Sequence, residues 1–246
     1  IAYLGIWVIS PKRLFTNNWQ DELWLVAGGI FGGSLYFFTE NTALGITQAS
    51  NVSFIICTAP LLTTILSLLF YKSEKASKGL IYGSLLALMG VGLIVFNGSF
   101  VLKISPIGDL LTLLAALSWA FYSLIIKKMA GRYPTIFITR KIFFYGVLTI
   151  LPAFLLHPLH PDTAVLLQPA VLFNLLFLAV LASLICYVLW NVVLKQLGTV
   201  RASNYIYLNP LVTMIASFLI LDEKITLVAL GGAACIVCGV YWAEKK

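Results

Sequence analysis

The sequence predicts an all-α membrane protein, a helical bundle built from two inverted five-helix repeats. Three observations carry that expectation: too little charge for a water-facing surface, a regular series of apolar stretches of bilayer length, and a one-sided distribution of Lys and Arg between them.

Apolar residues make up 61% of the 246 and charged residues only 10%, whereas a soluble domain carries about 25% charged residues. Mean hydropathy is +0.99. A soluble chain of this length would bury roughly three quarters of its surface and still need a charged exterior, so lipid is the expected solvent and the bilayer the first partner. The net charge of +7 does not point to nucleic acid, because the 16 Lys and Arg sit in short groups and form no continuous basic stripe. Cys57, Cys186, Cys235 and Cys238 all lie in apolar segments, where a thiol acts as a small hydrophobe; the redox compartment stays open.

A crossing helix needs about 20 mostly apolar residues. Ile1 to Ile9 reads as the end of a broken-off helix, with neither the basic region nor the cleavage site of a signal peptide. Eight full spans follow: Leu23 to Gly45, Ala49 to Tyr71, Gly79 to Asn97, Ile107 to Ile126, Thr135 to Leu156, Val171 to Leu194, Ala202 to Leu221, and Thr226 to Ala243. Pro11, Gly98, Pro106, Pro134, Gly198 and the stretch from His157 to Asp162 fall between them, as turn residues should. Counted on alternate sides, Lys and Arg divide fourteen to two, with only Lys103 and Lys224 on the poorer side. Basic residues in short loops stay in the cytoplasm. The expectation is a multi-pass protein of the cytoplasmic membrane with a cytoplasmic C-terminus.

Ala59-Pro60-Leu61 to Ser67 aligns with Asn209-Pro210-Leu211 to Ser217 at a shift of 150 residues, and Asn41, Leu44, Ser53 and Thr63 pair with Asn191, Leu194, Ser203 and Thr213. One residue is then lost, and at a shift of 149 Glu74, Gly83 and Gly90 pair with Glu223, Gly232 and Gly239. Five helices per copy is an odd number, so the second copy enters the membrane from the opposite side. The two domains are then residues 1–98 and 105–246, and one whole helix plus the start of a second would precede residue 1, giving ten spans in the complete protein.

Ala43-Leu44, the helix from Pro60-Leu61 to Glu74, Gly90-Val91-Gly92-Leu93, Ser118-Trp119-Ala120-Phe121-Tyr122, Ala202-Ser203 to Leu208-Asn209-Pro210-Leu211, and Leu221-Asp222-Glu223-Lys224 come in an order and spacing that resembles the EamA-type carriers of the drug/metabolite transporter superfamily. That resemblance implies ten helices in two five-helix repeats, a central cavity between the repeats, and export or exchange of amino acids or related metabolites. Glu40 beside Asn41 is not a general feature of the superfamily, and the first helix is absent.

Glu40 is the only acid well inside a predicted span, where an ionisable group costs several kcal/mol unless it pairs or reaches water. It is the leading candidate to exchange a proton or attract a substrate ammonium group; the blander reading is a carboxylate snorkelling to the headgroups. Asn41 and Asn191 offer amides either to a solute or to neighbouring helices. Ser50, Ser53, Cys57, Pro60, Thr64 and Ser67 recur at steps of three and four and so share one helix face, with Ser203, Tyr207, Pro210, Met214 and Ser217 as counterpart. Such faces line a cavity or permit close packing. Pro60 and Pro210 are candidate hinges, since each removes a backbone donor and can kink a helix. Trp119, Tyr122, Tyr187, Trp190 and Tyr205 suit stacking on an aromatic or cationic solute, or anchoring at the membrane interface.

Gly79-x-x-x-Gly83 and the steps Gly231, Cys235, Gly239 allow close helix packing, within the bundle or in a homodimer. No metal or cofactor is expected: Cys235-x-x-Cys238 lies inside a span, His157, His160 and Asp162 are separated by prolines, and no nucleotide-binding Gly-x-x-x-x-Gly-Lys motif is present. Arg140 and Lys141 suit an anionic group or lipid phosphate. The expected function is a secondary transporter of small organic metabolites working by alternating access on a small-molecule substrate, and not an enzyme. A membrane-embedded enzyme acting on a lipid would need clustered catalytic acids or histidines, and no two acids lie close within a span. A channel is the remaining alternative.

Overall fold

A computed structural model describes residues 2–9, 15–16, 18–71, 77–96, 105–156, 163–221 and 225–245. In chain order the α-helices are α1 (Ala2–Ile9), α2 (Trp19–Gly29), α3 (Leu35–Ile46), α4 (Ala49–Ile56), α5 (Ala59–Phe70), α6 (Lys78–Phe96), α7 (Pro106–Ala130), α8 (Thr135–Leu156), α9 (Thr163–Leu166), α10 (Pro169–Leu176), α11 (Cys186–Leu197), α12 (Thr199–Asn204), α13 (Asn209–Leu221) and α14 (Leu227–Glu244). Wider π-turns join α2 to α3 over Ile30–Ser34 and α10 to α11 over Phe177–Ile185, and a 3₁₀ turn over Tyr205–Leu208 joins α12 to α13.

Seven helical runs among the described residues are long and apolar enough to cross a bilayer. The eighth sequence span, Leu23 to Gly45, lies within a run that is helical from Trp19 to Ile46. It is not among the seven, because Tyr36, Thr39, Glu40 and Asn41 make it more polar. Leu172, Phe173, Phe177, Leu178 and Leu181 stand exposed along one run. A surface in water rarely carries so continuous an apolar face, whereas hydrocarbon favours it. The fold is an all-α membrane protein.

Local chemistry sets the helix starts. The Asn18 side chain accepts from the Gln20 N–H at 3.1 Å ahead of α2, Ser77 Oγ accepts from Leu80 N–H at 3.1 Å, and Thr226 Oγ1 accepts from Ala229 N–H at 3.2 Å. Each satisfies a donor that the first helical turn leaves without a partner. Gly198, with φ +83°, makes the turn from α11 into α12, a backbone conformation that favours glycine.

The chain divides into two compact units. Unit 1, residues 1–35 and 125–196, packs α2 and the first π-turn against α8. Gly29 and Gly33 lie directly on Gly146: a Cβ built on Gly29 would come 2.8 Å from the Gly146 nitrogen. Polar bonds tie its helices together: Tyr187 OH donates to the Gly32 carbonyl at 2.7 Å, Asn191 Nδ2 donates to Thr139 Oγ1 at 2.8 Å, and Ser34 and Thr149 share a 2.7 Å hydroxyl bond. At one end Arg132 pairs with Asp21 at 2.5 Å, Tyr133 OH donates to Asp21, and buried Lys141 and Tyr145 both donate to buried Glu22.

Unit 2, residues 36–124 and 197–246, is centred on α6 against α14, its most extensive helix pair. Gly83 meets Gly239 and Gly90 meets Gly232. Cys57, Ala87, Val91, Tyr207, Ile236 and Val240 form its buried core. Of the expected stripe in α14, Cys235 and Gly239 meet α6, whereas Gly231 is exposed with nothing near its Cβ position and Gly232 faces the partner helix in its place. The close packing is satisfied within the chain.

The expected kinks take a different form. The helix from Ala49 does not bend around Pro60; it breaks at Cys57 and Thr58 and restarts with Pro60 second in α5, and Pro210 is likewise second in α13, after the 3₁₀ turn. A proline in a first turn removes a donor that had no helical partner, so both prolines begin helices instead of distorting them. Lys12, Arg13, Lys72, Lys75, Glu74, Lys103, His157, His160, Asp162, Glu223 and Lys224 lie outside the described residues.

Candidate functional site

A cavity of about 460 Å³ opens in unit 2 where α3 and α4 meet the start of α13. Its polar wall comes from Glu40, Ser50, Ser53, Cys57, Asn209 and Thr213, and its apolar wall includes Leu44, Val52, Ile56, Ile94, Val95 and Met214. Among the described lining residues Glu40 is the only charged side chain. Tyr36, one turn earlier on α3, donates its hydroxyl to Glu40 Oε1 at 3.1 Å. The Tyr36 ring rests on Trp119, at 5.1 Å between centroids, and Trp119 rests in turn on fully buried Tyr122 at 5.2 Å. An aromatic stack from α7 therefore fixes the phenol that orients the carboxylate.

Of the residues expected to form a site, Glu40, Ser53 and Pro210 come together at this cavity, joined by Ser50, Cys57 and Met214 from the two small-residue stripes. Trp119 and Tyr122 are not on its wall; their ring stack leads to it through Tyr36. Asn41 does not line it: it is exposed, and its Nδ2 donates to the Phe37 carbonyl of its own helix at 2.7 Å. Ser203 and Tyr207 are fully buried and Pro60 is buried, none of them on the cavity wall. Tyr187 and Asn191 belong to unit 1, where their polar groups bond to neighbouring helices. Thr64 lines a different space, and the Ser217 side chain is not among those described. Lys141, expected to meet an anion, is neutralised by Glu22.

Sequence reasoning missed Tyr36, Asn209 and Thr213 as site residues. Tyr36 was findable, because a residue four positions before Glu40 shares its helix face. Ile94 and Val95 carry no signal beyond their apolarity.

A carboxylate held by one donor, flanked by hydroxyls and an amide and walled by hydrocarbon, can take an ammonium group with an apolar body. A half-buried charge within an apolar helix of this kind needs such a partner or water. These helices and this cavity define a multi-pass membrane protein with a solute-sized, acid-bearing site. The chain belongs to the EamA-like transporter family, whose model matches residues 1–96 and 106–243. Two uncharacterized transporters of Archaeoglobus fulgidus are 28% and 25% identical, covering 99% and 97% of this chain and 83% and 82% of their own lengths. A probable amino-acid metabolite efflux pump of Salmonella typhimurium is 29% identical over 182 residues, 70% of this chain and 60% of its own. One solved crystal structure shares the fold with a TM-score of 0.78 at 18% identity, covering 99% of this chain and 82% of the other. The protein is a membrane transporter.

Proposed function

We propose that the protein is a secondary transporter that exports or exchanges small organic metabolites bearing an ammonium group, such as amino acids, across the cytoplasmic membrane by alternating access. The single observation that carries this reading is Glu40, the one charged side chain among the described residues of a cavity otherwise lined by hydroxyls, amide and hydrocarbon. The carboxylate meets the ammonium, Ser50, Ser53, Asn209 and Thr213 supply further polar contacts, and the apolar wall takes the side chain of the solute. The pump of Salmonella typhimurium supports amino-acid metabolites as the substrate class. The fourteen-to-two division of Lys and Arg supports a cytoplasmic C-terminus. Two inverted repeats over residues 1–98 and 105–246 supply the two-sided geometry that alternating access requires.

Purified protein in liposomes preloaded with unlabelled leucine is expected to accumulate labelled leucine by saturable counterflow, which a channel does not give. Glu40→Gln removes the charge at nearly constant shape and is expected to abolish the uptake. Counterflow unchanged in that variant would overturn the reading, and a covalently altered product would replace it with an enzyme.

A further inference from the structure

The Glu40 cavity has a counterpart. A second space of about 430 Å³, also wholly within unit 2, is bounded by α5, the start of α6, Leu197 to Arg201, and the end of α14. The sequence shift that aligns the two halves, 150 residues at first and 149 after the lost residue, carries six of the sixteen residues lining the first cavity onto the lining of the second. Ala49 and Thr199, Thr64 and Met214, and Leu80 and Ala229 are such pairs, and Ile94 and Val95 map onto Ala243 and Glu244. The shift was read from the sequence alone, so the agreement of the walls is independent of it. In each cavity the start of one broken helix lies beside the far half of the other, as two helices running in opposite directions require.

The acids do not follow the shift. Glu40 maps onto Trp190 and Glu244 onto Val95, so each cavity draws its own carboxylate from a different element. Thr199 is fully buried on the wall of the second cavity, and its hydroxyl has no hydrogen-bond partner among the described residues; neither does the buried Oε1 of Glu244. Buried polar atoms are ordinarily satisfied, and both of these belong to residues lining one space, where a ligand can supply the missing donors. Arg201 and Lys245 stand exposed on the same wall, and neither is ion-paired with Glu244 among the described residues.

We infer that the second cavity is a binding site for a solute ammonium group, which donates to the Glu244 carboxylate and the Thr199 hydroxyl, and that the protein thus holds two stations for the same cationic head. Arg201 and Lys245 receive the carboxylate when the solute is a zwitterion. This rests on the reading of the Glu40 cavity as the solute site. The two stations lie toward opposite ends of the broken helices, separated along the first of them by the interval from Cys57 to Thr64, on the order of 10 Å of helix.

The test is equilibrium dialysis of labelled leucinamide, which keeps an ammonium and an apolar body without a carboxylate, against the full chain in nanodiscs. About two molecules per chain are expected. Glu40→Gln and Glu244→Gln should each leave about one, and the remaining molecule reports that the variant is folded. Thr199→Val is expected to weaken the second site about tenfold and leave the first unchanged, and sodium chloride at the same concentration should displace neither. A single molecule lost in Glu40→Gln alone overturns the second site and leaves the Glu40 reading intact; a single molecule lost in Glu244→Gln alone does the reverse. Two molecules bound by Glu244→Gln, or displacement from the second site by sodium, overturns the inference, and no binding to the unaltered chain overturns both readings.

Discussion

Gly83 and Gly239 face one another so closely that a Cβ built on either would lie 2.5 Å from the backbone oxygen of the other. Real Cβ atoms do not approach backbone in this way, so any side chain here forces α6 and α14 apart. Gly83→Ala and Gly239→Ala are each expected to cost about 1–3 kcal/mol through overpacking. Gly231, on the same helix next to the Gly232 contact with Gly90 and open to its surroundings, provides the control: Gly231→Ala should be neutral or stabilise by up to about 1 kcal/mol. Unfolding in detergent followed by helical circular dichroism checks both.

The Glu22–Lys141 pair is buried on both sides. Removing one partner leaves an uncompensated charge, at a cost of about 3–5 kcal/mol, whereas exchanging both for apolar residues of similar size is often neutral. Glu22→Met and Lys141→Met are each expected to destabilise unit 1 strongly, and the double variant to recover most of the loss. Additive losses in the double-mutant cycle would contradict the coupling.

Tyr36 is not on the cavity wall and meets it through its hydrogen bond to Glu40. Tyr36→Phe deletes the hydroxyl that orients the carboxylate and is expected to weaken leucinamide binding by up to about tenfold, the range set by one hydrogen bond of roughly 0.5–1.5 kcal/mol. Trp119→Leu removes the ring that supports Tyr36 and should act in the same direction. Asn41→Ala, on an exposed position away from the cavity, should leave the affinity unchanged.

Asn191 separates a structural from a solute-binding role. Its bond to Thr139 joins two helices of unit 1, and interhelical hydrogen bonds in membrane proteins contribute about 0.6 kcal/mol on average. Asn191→Leu is expected to lower stability by about 1 kcal/mol with leucinamide affinity unaltered. A loss of affinity with stability intact would return this side chain to the site.

The spans were legible in the sequence because hydrocarbon imposes a length and a polarity that residues report one by one. Glu40 was legible for the same reason, as a charge where charge is costly. The register of the glycine contact was not: Gly231 and Gly232 are adjacent and both small, and only the rotation of α14 chooses between them. Pro60 and Pro210 announce an interruption, yet their sequence does not reveal that the helix ends before the proline instead of bending around it. The polar groups of Asn191 and Tyr187 were visible as candidates, but whether such a group serves a solute or a neighbouring helix depends on what folding brings opposite, here Thr139 and the Gly32 carbonyl.

In the run from Pro169 to Leu197, every side chain from Leu172 to Leu178 is turned outward. What surrounds it is a fluid, which has no shape to match, so Leu, Ile, Val and Phe are interchangeable along that outer surface as they are not around Gly83. Natural variation in this protein should accumulate there as swaps among oily residues, leaving the letters changed and the chemistry the same.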